Sequence, residues 1–317
     1  MSTVSLTEAE RVRADLVRAR SARSVRESLV KGFLFLAAAL SIATTTAIVF
    51  TLLNQTFSFF AEVSPIDYFT GTRWTPLLYG DQQSFGVLPL LWGTFYLTAI
   101  GLLVAVPCGL LAAIYLAEFA RPKVRKAVKP VLELLAGMPT IIFGYFALTF
   151  VTPTVLRDLL GINVDIFNGL SAGLVLGLLV IPTIASVSED AMRSVPQSLR
   201  EGAFGLGAGK LQVSLKVVFP AALSGIVAAL ILGASRAIGE TVIILIAGGQ
   251  SPSLSLNPTG SFQSMASFIA ATARGDIPQN TIKYDTIFVV GFTLFIVTLF
   301  LNAASARLVR RYRQVYE

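Results

Sequence analysis

Arg236 and Glu240 are the two charged residues of an otherwise apolar stretch, residues 220–247. Residues four apart lie one turn apart on the same helix face, so the spacing predicts that these side chains are neighbours. A guanidinium binds an oxyanion such as phosphate through paired N–H donors, and Glu240 would neutralise Arg236 when no anion is bound. The alternative left open by the sequence is a mutually satisfied ion pair that only holds two helices together.

The sequence offers little for enzymatic or metal chemistry. It has no histidine and a single cysteine, Cys108, so the commonest general base and zinc ligand is missing. Residues 169–173 read Gly-Leu-Ser-Ala-Gly, the spacing of a hydrolase nucleophile, but they lie in an apolar stretch. Residues 205–210 look like a phosphate loop, yet Phe204 and Leu211 occupy two of its required positions. We therefore expect no catalytic residue, metal or cofactor, and ATP hydrolysis only by a separate subunit.

The elements that position Arg236 and Glu240 are predicted to be membrane-spanning helices. The chain is 54% hydrophobic and 14% charged, which is too apolar for one soluble domain. Apolar blocks of about 20 residues match the ~30 Å hydrocarbon core of a bilayer. The sequence predicts an all-α polytopic membrane protein with six spans, at about 32–53, 89–117, 131–153, 168–188, 220–247 and 286–306.

The basic residues alternate from one side of the predicted spans to the other. Most of the 25 lysines and arginines fall in residues 1–31, 119–130, 189–219 and 307–313. Few fall in the loops at 54–88, 154–167 and 248–284. The positive-inside rule therefore predicts that both termini are cytoplasmic, with tails at 1–31 and 311–317 around one transmembrane domain, 32–310. The positive charge is read as an orientation signal, not as a nucleic-acid site.

Small residues recur every four positions in the fourth and fifth predicted spans. They are Gly169, Gly173 and Gly177, followed by Gly225, Ala229 and Gly233. This spacing lets helix backbones approach closely inside a membrane. Packing within the chain is the simpler expectation, and pairing with a partner subunit is the alternative.

A polar segment before the fifth span carries a spaced motif. It reads Glu201-Gly202-Ala203, three residues, Gly207, nine residues, then Val217-Val218-Phe219-Pro220. Ser194 and Gln197 have the spacing of a capping box, and Gly207 is suited to break the helix that follows, so residues 194–220 are predicted to form a helix–glycine–helix elbow. The motif resembles the E-A-A–x3–G–x9–I-x-L-P signature of permeases of ATP-binding-cassette (ABC) importers. Glycine, valine and phenylalanine replace three of its residues.

Further stretches resemble one subfamily of these permeases. They are residues 74–80, 86–94, 103–107, 114–118, 135–140, 143–147, 188–196 and 235–241. Together they are similar to the PstC-type permease of the phosphate-specific transport system, over about residues 70–310. The resemblance implies type I ABC importer architecture in the cytoplasmic (inner) membrane of a prokaryote. It also implies three partners: a sister PstA-type permease, PstB-type ATPase subunits and an extracytoplasmic PstS-type phosphate-binding protein.

The resemblance also implies residue roles. Arg236 and Glu240 would line the substrate path, and the elbow would dock into the ATPase through Glu201, Gly202, Ala203, Gly207 and Pro220. The binding protein would deliver phosphate to the loops at 54–88 and 248–284. A permease for another oxyanion, such as molybdate or sulfate, would carry the same elbow motif and is an alternative. A secondary transporter is a further alternative, but the inverted repeats that would favour it are not visible.

Overall fold

The computed structural model describes residues 8–312, and side chains between residues 27 and 307. The outer parts of the two predicted tails, residues 1–7 and 313–317, lie outside the described residues. The chain divides into two units between Asn54 and Gln55. As far as it is described, the first unit consists of residues 8–54 of helix α1 (Glu8–Glu62), and the last residues of α1 belong to the second unit. Within α1, Glu27–Glu62 is long and apolar enough to cross a membrane.

The second unit is a bundle of helices, and the described residues contain no β-strand beyond one isolated bridge between Trp74 and Phe85. After α1, the helices are α2 (Pro65–Thr70), α3 (Leu88–Ile114), α4 (Pro122–Ala136), α5 (Thr140–Phe146), α6 (Gly169–Arg193), α7 (Gln197–Gly205), α8 (Lys210–Val213), α9 (Phe219–Ala221), α10 (Leu223–Ile238), α11 (Met265–Ala273) and α12 (Ile282–Tyr312). Turns of π-helix continue α3, α5 and α8 as Tyr115–Phe119, Ala147–Leu159 and Ser214–Val218.

Five described segments are long and apolar enough to cross a membrane, or six if one bent helix pair counts as a span. They are Glu27–Glu62, Leu88–Phe119, Thr140–Leu159, Gly169–Arg193 and Ile282–Arg307. The bent pair is Lys210–Ala221 with Leu223–Ile238, whose axes differ by 73°. The all-helical prediction is therefore confirmed, and the number of spans is five or six.

The third predicted span, 131–153, is displaced in the structure. Residues 131–136 belong to α4, whose basic side chains include Arg125 and Lys129, and the apolar segment runs from Thr140 to Leu159 instead. Helix α4 ends at Ala136 because Gly137 and Pro139 follow: glycine has a low helix propensity, and a proline disfavours helical geometry in the residue before it.

The fifth predicted span, 220–247, is interrupted. Helix α10 ends at Ile238, residues 239–241 are not helical, and π-helical turns resume at Ile244–Gly248. A glycine at position 239, where the helix stops, weakens helical continuity. The interruption separates Arg236 from Glu240, which the sequence had placed on one continuous helix.

The small residues of the fourth and fifth spans pack against helices of the same chain. A Cβ on Gly177 would lie 2.6 Å from the carbonyl oxygen of Gly101 in α3. A Cβ on Gly233 of α10 would lie 2.9 Å from Ile184 of α6. These approaches leave no room for a side chain, so both ladders join α6 to its neighbours, and the expectation of packing within the chain is confirmed.

Candidate functional site

The elbow has the helix–glycine–helix form that the sequence predicts. Helix α7 ends at Gly205, and α8 begins at Lys210. Between them Gly207 has a φ of 83°, in the left-handed region that favours glycine. The predicted capping box is wrong, because α7 begins after Pro196 without a side-chain cap, and the hydroxyl of Ser194 donates to the carbonyl of Ala191 in α6.

The predicted docking residues lie on the surface of the elbow. Glu201, Gly202, Gly207 and Pro220 are exposed, and Ala203 is half-buried. Glu201 makes no hydrogen bond or ion pair with another residue in the part of the chain that is described. Large apolar side chains are exposed beside it, at Leu199, Phe204, Leu206 and Leu211. Leu206 is the most exposed of them, at 91%. Exposed apolar side chains grouped in this way are typical of a surface that binds another protein.

Arg200, which precedes Glu201, faces inwards and fixes the elbow to the bundle. Its guanidinium donates to the Glu118 carboxylate at 3.0 and 3.2 Å, and to the carbonyls of Met192 and Val195 at 2.8 and 2.6 Å. Lys210, the first residue of α8, lies 5.1 Å from the ring centre of Phe119. Both short helices of the elbow therefore contact the end of the helical segment that continues α3.

Arg236 lies in the last turn of α10 and is half-buried. It donates to the hydroxyl of Thr183 in α6 at 3.3 Å and to the carbonyl of Ala136, the last residue of α4, at 2.9 Å. No ion pair joins it to an acidic residue in the described part of the chain. Since a guanidinium has five N–H donors, these two bonds leave three unused.

Glu240 is buried and has a different partner from the one predicted. One of its carboxylate oxygens accepts from the main-chain N–H groups of Val242 and Ile243, at 3.0 and 3.2 Å. These N–H groups begin the helical turns that follow the interruption, so Glu240 caps them as a carboxylate at a helix N-terminus. The predicted side-by-side pair with Arg236 is wrong, because the helix ends between the two residues.

A second ionic cluster joins α4 to α6. The buried carboxylate of Glu189 accepts from Arg125 at 2.7 Å and from Lys129 at 2.9 Å. Lys129 also pairs with the exposed Asp190. Partial burial alone would lower the pKa of Lys129, but its hydrogen bonds to Asp190 and Glu189 outweigh that effect and raise it. This cluster holds α4 in place beside the end of α6, and α4 in turn presents Ala136 to Arg236.

These anchoring residues were not predicted from the sequence. Glu118 and Glu189 lie in the stretches 114–118 and 188–196, which carried the family resemblance. Glu118 pairs with Arg200 across 82 residues, and Glu189 pairs with Arg125 across 64. Local spacing gives no information on such distant partners, so the one available signal was the presence of acidic residues at the ends of apolar stretches.

The two loops predicted to receive cargo come together in the structure. One cavity of about 380 Å³ is lined by residues 74–78 of the first loop and by eight residues between Gln250 and Ile277 of the second. Lys283 strengthens the junction, since its ammonium group donates to the carbonyl of Leu77 at 2.8 Å and lies over the ring of Tyr79.

Sequence comparison relates this chain to known proteins. Residues 105–314 match the sequence model of the family described as "Binding-protein-dependent transport system inner membrane component". The "Probable ABC transporter permease protein YqgH" of Bacillus subtilis is 33% identical over 237 residues, covering 74% of this chain and 75% of that protein. The "Phosphate transport system permease protein PstC" of Xylella fastidiosa is 33% identical over 255 residues, covering 75% and 76%.

A solved structure of a bacterial ABC transporter involved in the import of the acidic polysaccharide alginate has a similar fold. Its matching chain superposes with a TM-score of 0.62, at 16% identity, covering 92% of this chain and all of that one. This likeness concerns the fold alone.

Proposed function

This chain belongs to the family of binding-protein-dependent transport system inner membrane components, and from that premise we propose that it is the permease subunit of an ATP-driven phosphate importer. Relatives named as phosphate transport permeases, such as the Xylella fastidiosa protein, match three quarters of the chain. The importer lies in the cytoplasmic membrane of a prokaryote and carries inorganic phosphate inwards.

The proposed topology has six spans in one transmembrane domain, 32–310, with both termini in the cytoplasm. The bent pair of α10 with the residues before it supplies the sixth span. The ion pairs of Arg125 and Lys129 with the Glu189 region support this orientation. They place basic α4 at the same end of the bundle as the elbow, and the positive-inside rule assigns that end to the cytoplasm.

Arg236 is the proposed phosphate contact of the substrate path. The observation that carries this proposal is its position: a guanidinium in an apolar helix, bonded to a hydroxyl and a carbonyl but to no carboxylate of the described chain. A carboxylate would cancel its charge, whereas these neutral partners leave the charge and three N–H donors for an oxyanion. A charged group is costly in a membrane, and such groups normally face a protein interior or a water-filled path.

Glu240 serves the path by holding the helix interruption that follows Arg236. Its carboxylate satisfies two main-chain N–H groups that would otherwise be left without partners next to the path. It therefore shapes the path beside the anion site without neutralising Arg236.

The elbow is the proposed contact with a separate ATPase. Glu201, Gly202, Ala203, Gly207 and Pro220 form the docking motif, and the exposed leucines and Phe204 beside it supply apolar contact area. A PstB-type ATPase would bind there, a PstA-type permease would complete the path, and a PstS-type binding protein would dock at the opposite end, where residues 74–78 and 250–277 meet. This chain carries no ATP-binding loop of its own.

Uptake of radiolabelled phosphate in cells lacking this chain tests the proposal. Wild-type chain restores uptake, and Glu201→Lys, which reverses the charge of an exposed docking residue, does not, although both proteins reach the membrane in equal amounts. Sulfate and molybdate uptake, measured in parallel, remain unchanged. If one of those anions responds and phosphate does not, the chain is a permease for a different oxyanion. If transport is indifferent to Glu201→Lys, the elbow does not couple transport to an ATPase.

A further inference from the structure

The elbow is covalently continuous with α6 and α10 but not with α3. Residues 194–222 link α6 to α10 directly, so any movement of the elbow reaches these two helices through the main chain. Helix α3 and its continuation end at Phe119, far away in sequence. A movement of the elbow therefore reaches α3 only through non-covalent contacts, either directly or by way of α6, which packs closely on α3.

Arg200 supplies a directed contact of this kind. Its guanidinium binds Glu118, at the end of the α3 segment, and the main-chain carbonyls of Met192 and Val195, at the end of α6. The side chains of Arg200 and Glu118 are only 11% and 8% exposed. A planar fork with five donors suits one carboxylate and two carbonyls, which a lysine ammonium group cannot hold in the same geometry.

The pair of Arg200 and Glu118 lies in closely packed surroundings. Lys210 of α8 lies over Phe119, the residue after Glu118. Ala113 packs with Met192, Val195 and Val213 in one buried apolar cluster. Because the pair is largely withdrawn from solvent, salt screens it weakly.

We propose that Arg200 is a positioning residue that transmits movement of the elbow to α3 through Glu118. This inference rests on the proposed function, because it requires an ATPase that moves the elbow. Glu201 is exposed on the same helix, on the surface proposed to dock the ATPase, whereas its neighbour Arg200 contacts the helical bundle.

The test uses the complete importer, reconstituted in vesicles with its ATPase, sister permease and binding protein. Phosphate uptake and ATP hydrolysis are measured together for wild type, Arg200→Lys, Glu118→Gln and the control Lys126→Gln. Lys126 is an exposed cation of α4 without a hydrogen bond or ion pair in the described chain. We expect phosphate imported per ATP hydrolysed to fall by about threefold or more in Arg200→Lys and Glu118→Gln, at unchanged complex yield, and to stay at the wild-type value in Lys126→Gln.

Three results would overturn the inference. Unchanged coupling in both variants would mean that α3 follows the elbow without the pair. A fall in complex yield for both, with normal coupling in the complexes that form, would assign the pair to assembly. A loss of coupling of equal size in Lys126→Gln would show that the effect is not specific to the pair of Arg200 and Glu118. Failure of the wild-type complex to import phosphate would instead refute the proposed cargo, and the same ratio is then measured with the anion it does import.

Discussion

The guanidinium of Arg236 donates a 2.9 Å hydrogen bond to the main-chain carbonyl of Ala136, the last residue of α4. The carbonyls at the end of a helix lack partners within it and carry partial negative charge. The end of α4 thus offers Arg236 a weak anionic partner without a full charge. In the proposed path, a phosphate ion would bind the donors that these bonds leave free, and the bond to Ala136 would keep the arginine oriented when no phosphate is present.

Thr183 is expected to orient Arg236 from the other side. Thr183→Val keeps the shape of the side chain but removes the hydroxyl that accepts from Arg236 at 3.3 Å. Loss of one modest hydrogen bond, about 1 kcal/mol, lowers phosphate uptake roughly fivefold. The control is Thr149→Val, since Thr149 is exposed and bonds only to the carbonyl of Tyr145 one turn earlier. Equal uptake by the two variants would exclude an orienting role for Thr183.

Glu240 is expected to act as a helix cap. Glu240→Gln keeps an oxygen that accepts from Val242 and Ile243, whereas Glu240→Ala removes it and costs about 0.5–2 kcal/mol of stability. We therefore expect a lower unfolding temperature in detergent, and lower uptake, for Glu240→Ala than for Glu240→Gln. If the glutamine variant is as impaired as the alanine variant, the negative charge of Glu240 is required. That result would favour the sequence-based prediction that Glu240 neutralises Arg236.

Two glycines of the elbow form a matched pair. An added Cβ meets nothing within 4 Å at either Gly202 or Gly207, so only backbone conformation distinguishes them. Gly207 has a φ of 83°, and Gly207→Ala is expected to destabilise the elbow by about 1–2 kcal/mol. Gly202 lies inside α7, where alanine is favoured by about 1 kcal/mol.

Limited proteolysis of the purified complex checks this prediction. Cleavage within residues 197–213 speeds up in Gly207→Ala and slows or stays constant in Gly202→Ala. Faster cleavage in both variants would show that the space around the elbow, and not its backbone conformation, requires glycine.

The sequence predicted the elbow well because its signals are local. A glycine at position 207 and the run to Pro220 determine where short helices stop and start, and those signals lie within a few residues of their effect. The sequence also singles out Arg236 and Glu240 as unusual charges in an apolar stretch, and the structure places one half-buried and the other buried. Their relationship was predicted wrongly because the weak helix former Gly239 lies between them, and the spacing rule assumes an unbroken helix.

The anchoring contacts were beyond prediction because their partners are distant in sequence. Nothing near Glu189 indicates Arg125, and nothing near Arg200 indicates Glu118. The start of the third span was misplaced for a related reason: hydrophobicity alone did not reveal that Gly137 and Pro139 separate α4 from the apolar segment.

The buried carboxylate of Glu189 is expected to be essential for the packing of α4. Glu189→Ala removes the buried partner of Arg125 and Lys129, whose side chains are partly exposed, and we expect it to cost about 1.5–3 kcal/mol, the usual loss for a hydrogen bond to a charged group. Asp190→Asn, at a 60% exposed side chain, costs less than about 1 kcal/mol. The unfolding temperature in detergent is measured for both variants and is expected to be lower for Glu189→Ala. Similar unfolding temperatures would contradict the assigned role of Glu189.

The same cluster predicts how stability depends on pH. Because the folded protein raises the pKa of Lys129, the stabilisation from its ion pairs is complete below the ordinary lysine pKa and is lost as the pH rises through the raised value. The difference in unfolding temperature between wild type and Lys129→Gln is therefore expected to stay constant between about pH 6 and pH 9, because Lys129 keeps its full stabilising effect throughout this range. A difference between the two proteins that changes across this range would contradict the raised pKa.

Phosphate is proposed to pass Arg236, and a reconstituted importer that carries Arg236→Gln tests this role. Phosphate uptake, ATP hydrolysis and complex yield are measured beside wild type and Arg236→Lys, which keeps the charge but not the planar fork. We predict that Arg236→Gln abolishes uptake while the complex still assembles and hydrolyses ATP, and that Arg236→Lys retains part of the uptake. Wild-type uptake by Arg236→Gln would contradict the claim, and so would loss of the complex together with uptake in both variants, because Arg236 would then serve packing alone.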